Sequence, residues 1–155
     1  MMVDDMVVQA ARAWIGTPYR HQAACRGGGT DCLGLLRGIW REIYGGEPET
    51  PPPYSADWSQ ASGEERLWQA ALRHLVPVTA EAPLCAGQVL LFRMRPNAVA
   101  KHLGLSSGLQ PARFIHAYSG HGVVENALSE PWRRRIVARF QFPASIQQTI
   151  SRGAT

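Results

Sequence analysis

Apolar residues recur at helical spacing three times in the first half of the chain, and the spacing switches to that of strands after Pro83. Val7, Val8, Ala11, Trp14 and Ile15 form one stripe behind Asp4, which can cap a helix that Gly16 stops. Leu33, Leu36, Ile39, Trp40 and Ile43 form a second stripe, opened by the N-cap residues Thr30 and Asp31 and closed by Gly45-Gly46. Ser62 and Glu65 make a capping box for a third helix, in which Leu67, Trp68, Ala71, Leu72 and Leu75 share a face and Pro77 marks the end. Two stretches hold no period. Arg20 to Gly29 reads as a loop beside the second helix, and 47–62 shifts to Pro, Ser, Glu and Asp, with Pro51-Pro52-Pro53 excluding helix and most sheet pairing.

Downstream of Pro83 five strands are expected. Gly87 to Met94 is a continuous apolar run of the buried type. His102 to Leu105 and Arg113 to Tyr118 flank a turn at 107–111, Gly122 to Asn126 follows, and Ile136 to Phe142 alternates clearly. Helices first and an antiparallel meander second make an α+β chain. The expected organisation is a single domain over 1–142, with 47–62 as a proline-rich insert and 143–155 as a polar, flexible tail.

Composition narrows the class. A chain of 155 residues with 45% hydrophobic types fits one domain with a real core. The formal charge is +4, but the basic residues are scattered and only Arg133-Arg134-Arg135 clusters, so no nucleic acid is expected as partner. Acidic Asp4 and Asp5 stand where a secretory signal carries bases, and no apolar run approaches a membrane span. The expectation is a protein made in the cytoplasm without membrane insertion. Three irregularly spaced cysteines, Cys25, Cys32 and Cys85, point to free thiols.

One of the three is placed for chemistry. Cys32 follows a glycine run and a capping Asp31, on the first turn of the second helix, where unpaired N–H groups and the positive dipole end favour a thiolate. A cysteine nucleophile needs a base, and the base an orienter. His102 and His116 are equidistant from Leu109 in the turn between their strands, so an unbroken antiparallel register places them opposite each other on one face. One can take the Cys32 proton while the other holds its far nitrogen. Tyr19, ahead of the loop, either packs or brings a phenol to an oxyanion. A cysteine at a helix start is also a common small core residue, and Cys25 and Cys85 read as packing residues. His74 reads as structural and His121 as a loop residue near the site mouth. His21, Cys25 and Cys32 match no common zinc spacing; no metal and no cofactor are expected.

The same stretches carry a resemblance. Gly16-Thr17-Pro18-Tyr19, Thr30-Asp31-Cys32-Leu33-Gly34-Leu35, Gly87 to Phe92, His102-Leu103-Gly104-Leu105 and Phe114-Ile115-His116-Ala117 resemble, in order, the motifs of NlpC-type cell-wall cysteine peptidases, and most of all their phage-tail and gene-transfer-agent branch. The resemblance implies a compact papain-like fold, with N-terminal helices packed on a C-terminal antiparallel sheet. It implies Cys32 as nucleophile, His102 as base, His116 as polar orienter and Tyr19 beside the oxyanion site. The implied substrate is the peptidoglycan stem peptide, often cut between D-glutamate and diaminopimelate. The implied partners are tail or baseplate proteins of a phage-like particle. A chain this short leaves no room for a wall-binding module, so attachment to such a particle, with localisation in its tail, is the expected means of delivery and export. The chain departs from the family pattern at Leu33, where serine is usual, and at His21-Gln22, where tryptophan-glycine is usual. Those departures favour the alternative of a non-catalytic tail assembly protein that keeps the fold.

Overall fold

The computed structural model describes residues 2–49, 51 and 63–144. Two helices open the chain, α1 (Val3–Trp14) and α2 (Cys32–Tyr44), joined by a two-stranded ladder of β1 (Ala24–Cys25) and β2 (Gly29–Thr30) inside the stretch expected to be loop only. The apolar stripes meet as the periodicity requires, with Val7, Ala11 and Trp14 of α1 and Leu35, Ile39 and Trp40 of α2 in one buried cluster. Two glycines of α2 set how closely its neighbours approach. A Cβ at Gly38 would lie 2.0 Å from the Trp14 ring, and one at Gly34 would lie 1.9 Å from the Ala23 carbonyl oxygen. The glycine at 34 therefore lets the first turn of α2 seat against the β1–β2 hairpin.

Helix α3 (Arg66–His74) starts later than the expected capping box. Glu65 is itself the N-cap residue, and its carboxylate accepts from the Ala100 N–H at 2.9 Å and from Arg93 at 3.2 Å, instead of closing back on a serine. Ser62, the box's other half, lies outside the described residues, as do 52–61 of the proline-rich stretch and 145–155 of the tail. The start of the proline-rich stretch is tied down: Glu47 accepts from Arg37 at 2.5 Å and from Arg41 at 3.3 Å, and Glu49 from Arg73 and His74. At the other end Phe142 is buried against Trp40 and Tyr44, and the Tyr44 hydroxyl donates to the Pro143 carbonyl at 2.5 Å.

The main sheet has six antiparallel strands rather than five: β3 (Val76–Val78), β4 (Val89–Phe92), β5 (His102–Leu109), β6 (Ala112–Tyr118), β7 (Gly122–Ala127) and β8 (Ile136–Gln141), in the order β3-β8-β4-β5-β6-β7. The unexpected strand is β3. Pro77 does end α3, but on an edge strand a missing N–H costs no internal ladder bond, so the chain pairs with β8 at once. Both faces of the central strands are covered. Val89, Leu91, Leu103, Leu105, Ile115 and Ala117 pack under the helices. Leu90, Phe92 and Phe114 face the opposite way, against Leu128 and against Trp132 of a one-turn helix, α4 (Glu130–Arg133). Burial on both faces is why β4 reads as an unbroken apolar run. The architecture is α+β, as expected, with helices first and the sheet second.

Candidate active site

The start of α2 is built by Asp31. Its Oδ1 accepts from the Gly34 N–H at 2.7 Å, the N-cap bond that its sequence position implies, and its Oδ2 accepts from the Gln22 N–H at 2.8 Å. One carboxylate thus fixes both the helix end and the loop before it. Cys32 is the next residue. Its thiol donates to the Lys101 carbonyl at 3.5 Å and also feels the N–H of Leu103, so it lies against the main chain on both sides of His102, at the start of β5.

His102 and His116 do meet, with His102 Nε2 2.7 Å from His116 Nδ1, but not by the expected register. The strands are joined by a two-residue turn, Gln110-Pro111, beyond the Leu109–Ala112 pair, and the register shifts between Ser106 and Gly108. Continuing the Leu105–Ile115 pairing sets Gly104, not His102, opposite His116; the histidines are diagonal neighbours on one face. The bulge at Ser107 is decisive. The turn register alone, a one-residue slip, would send the two side chains to opposite faces, and the extra residue returns them to the same one. Ser107 is held in place by its Oγ donating to Glu125 at 2.6 Å and by Arg12 of α1 donating to its carbonyl at 3.2 Å.

A third polar residue joins from β7: His116 Nε2 lies 2.7 Å from Asn126 Oδ1. The described network is therefore His102, His116 and Asn126, one residue from each of three adjacent strands. Trp132 packs at 5.9 Å from the His102 ring and 5.1 Å from the His116 ring, with Phe92, Phe114 and Tyr118 completing an aromatic surround. His116 is fully buried, whereas Cys32 and His102 each keep part of their surface open.

The setting of the Cys32 thiol is not that of the helix end alone. Burial, and then the Asp31 carboxylate, push its thiol up to about 12, against the pull of the Leu103, Leu33 and Cys32 N–H groups. The helix amides act in the expected direction, but desolvation outweighs them. Burial, and then His116, lower His102 to about 3, and burial lowers His116 as well. Burial thus shifts both groups towards their neutral forms.

No protein-family model and no curated protein matches the sequence. Solved structures match the chain. The NlpC/p60 domain of the peptidoglycan hydrolase SagA superposes with a TM-score of 0.60 at 17% identity, over 90% of this chain and 98% of that one. This chain has the NlpC/p60 fold. NlpC2 from Trichomonas vaginalis matches with a TM-score of 0.62 at 14% identity, over 91% of this chain and 46% of its own. An NlpC/p60 family protein from Bacillus cereus gives 0.61 at 17%, over 90% of this chain and 40% of its own. The chain thus spans nearly all of the SagA domain and less than half of the other two.

Tyr19 forms a bridge to Thr30, and its phenol is pushed up to about 12 by burial, then by Cys32 and Asp31, which places the hydroxyl in the field of the thiol. Gln22 has φ 63, a left-handed backbone in which glycine is at ease, and the Asp31 bond to its N–H holds it there. The departure at His21-Gln22 therefore keeps the loop's shape while adding two polar side chains, whose Nε2 atoms lie 3.2 Å apart. Leu33, the other departure, packs with the core and lines a cavity of about 380 Å³ between α2 and α3, together with Leu36, Trp40, Leu67 and Leu103. His74 pairs with Glu49 at 2.9 Å, in keeping with a structural role, and the His121 ring lies 5.2 Å from Tyr118. Cys25 is a correction: it is exposed on its two-residue strand, while Cys85 is half-buried. Among the described residues no cluster of three or more ligating side chains forms, so His21, Cys25 and Cys32 are not gathered into a metal site.

Sequence reasoning missed Asn126 and Trp132. Asn126 gave no signal of its own, since only the β6–β7 register brings it to His116. Ser129-Glu130-Pro131 is a helix-start pattern, N-cap followed by proline in the first turn, and would have placed Trp132 on a short helix.

Proposed function

We propose that this chain is a cysteine peptidase that hydrolyses peptidoglycan stem peptides. The observation that carries the reading is the seat of the Cys32 thiol: at the N-terminus of α2, against the backbone flanking an imidazole that is itself held by a second one. Support also comes from neighbours of the same fold, among them the peptidoglycan hydrolase SagA and Ly7917, the latter solved with the hydrolysing product of MDP, at a TM-score of 0.55 and 15% identity.

In the proposed reaction the thiol turns from the Lys101 carbonyl to the His102 ring and gives up its proton there. The sulfur attacks the peptide carbonyl, forming a C–S bond. The oxyanion is met by the Cys32 N–H and the Tyr19 hydroxyl. His102 returns the proton to the leaving amine as the C–N bond breaks, and water then hydrolyses the thioester.

The bond between D-glutamate and diaminopimelate is the proposed scissile bond, and the tail or baseplate of a phage-like particle the proposed location, both resting on the motif resemblance. A second reading, a tail assembly protein that does not cut, is favoured by Leu33 and by a thiol held protonated. Purified murein separates them. The wild-type chain releases stem-peptide fragments and Cys32→Ala does not; equal release by both, or none by either, overturns the peptidase reading.

A further inference from the structure

We infer that Asn126 is a positioning residue that sets the protonation pattern of both histidines, leaving His102 Nδ1 as the free lone pair for the thiol proton. The inference rests on the proposed peptidase function for its purpose, though not for its geometry.

A neutral imidazole carries one N–H and one lone pair. Three groups in series, two such rings and one amide, therefore admit only two proton arrangements. In the first, Asn126 presents its carbonyl oxygen, as it does here at 2.7 Å, and His116 must donate from Nε2. His116 Nδ1 is then a lone pair and accepts at 2.7 Å from His102 Nε2–H. His102 Nδ1 is left unprotonated. In the second, the amide presents its NH2, every donor and acceptor in the series reverses, and His102 Nδ1 carries a proton. A ring in that state cannot accept the thiol proton from that nitrogen.

The surroundings support the requirement that both rings be singly protonated. Burial holds both below the ordinary histidine range, so a doubly protonated ring that would donate from both nitrogens is disfavoured. His116 is fully buried, and no solvent reaches it to satisfy a mismatched nitrogen. The face that the Asn126 amide turns to His116 therefore goes with one arrangement only, and here it is the oxygen. Position 126 is reached by the register of β6 and β7, in which His116 faces Val124 and Phe114 faces Asn126, so the amide is a diagonal neighbour of the ring.

The test is nitrogen-15 NMR of the histidine rings at pH 7.5, read alongside muropeptide hydrolysis. In the wild-type chain both His102 and His116 are expected as the Nε2–H tautomer. In Asn126→Leu, which removes the acceptor, His102 is expected to gain a substantial Nδ1–H population. Turnover then falls by roughly 10²- to 10⁴-fold, with KM little changed. Asn126→Asp, which keeps an acceptor oxygen at the same place, is expected to retain the Nε2–H pattern. A wild-type His102 protonated on Nδ1 overturns the inference, as does an Asn126→Leu protein of native near-UV circular dichroism whose tautomers are unchanged. Should Asn126→Leu not fold, the wild-type spectrum and Asn126→Asp decide. Absence of hydrolysis by the wild-type chain overturns the proposed function instead, because the tautomers are read without it.

Discussion

Replacing Gly34 by alanine tests how the site is held. Inside a helix this change ordinarily stabilises, by up to about 1 kcal/mol, because alanine loses less backbone freedom on folding. Here the new Cβ would sit 1.9 Å from the Ala23 carbonyl oxygen and 2.5 Å from Thr30 Oγ1, whereas ordinary contact begins at 3.4 Å. One obstacle is backbone, so no rotamer change relieves it. Either the hairpin or the first turn of α2 must move by more than an ångström. Overpacking of this kind costs about 1–3 kcal/mol, and with the upper end appropriate to a backbone clash the net loss is about 2 kcal/mol. For a chain of this size that corresponds to a fall in Tm of about 4–8 °C. The turn that moves also carries Cys32, so hydrolysis is expected to fall further than stability does, by up to roughly 100-fold for a 1 Å displacement. The assay is thermal and urea unfolding of Gly34→Ala beside Gly46→Ala, a position with nothing within 4 Å and no left-handed backbone. Gly46→Ala is expected within about 0.5 kcal/mol of the wild type or slightly above it. A Gly34→Ala protein as stable as the wild type refutes the reasoning.

Acid stability follows from the buried histidines. Their pKa values are lower in the folded state than in the unfolded one, so the stability they contribute is complete above pH 6.5 and is lost as the pH falls towards about 3. The carboxylates of Glu47 and Glu125, held below their ordinary value of 4.5 chiefly by their arginine and serine partners, add to that loss only at lower pH. Urea unfolding between pH 6.5 and 5 should therefore show a slope that is shallower in His102→Gln, and an unchanged slope contradicts the assignment. Thiol reactivity separates Cys25 from Cys32: at pH 7.5 iodoacetamide, followed by peptide mapping, is expected to label exposed Cys25 before Cys32, and the reverse order would mean that the α2 amides outweigh burial.

What could be read in the sequence was local. Asp31 before an apolar stripe is a cap wherever the helix packs, and it is a cap here. The strand run Val89 to Phe92 was equally plain. The histidine pair follows from symmetry about Leu109 in sequence, but in the structure it meets for a different reason. The turn lies further on, and the bulge at Ser107, stabilised by Glu125 and by Arg12 from a distant helix, restores the shared face. Features that depend on the pairing of strands were hidden: β3, which exists because β8 returns beside it, and Asn126 of β7, which reaches His116 only through the β6–β7 register. The surroundings of the Cys32 thiol belong to the same class. A helix N-terminus is visible in sequence, but the burial of the thiol against Leu103 belongs to the tertiary fold.

The proposed cleavage of peptidoglycan by Cys32 with His102 is open to direct measurement. Digestion of defined muropeptides followed by mass analysis tests it most directly, since activity and bond choice are read together. The wild-type chain is expected to split the stem after D-glutamate, adding the mass of one water across the two fragments, and Cys32→Ala to leave the same muropeptide intact. Identical fragments from both proteins, or an intact stem with the wild type, would contradict it.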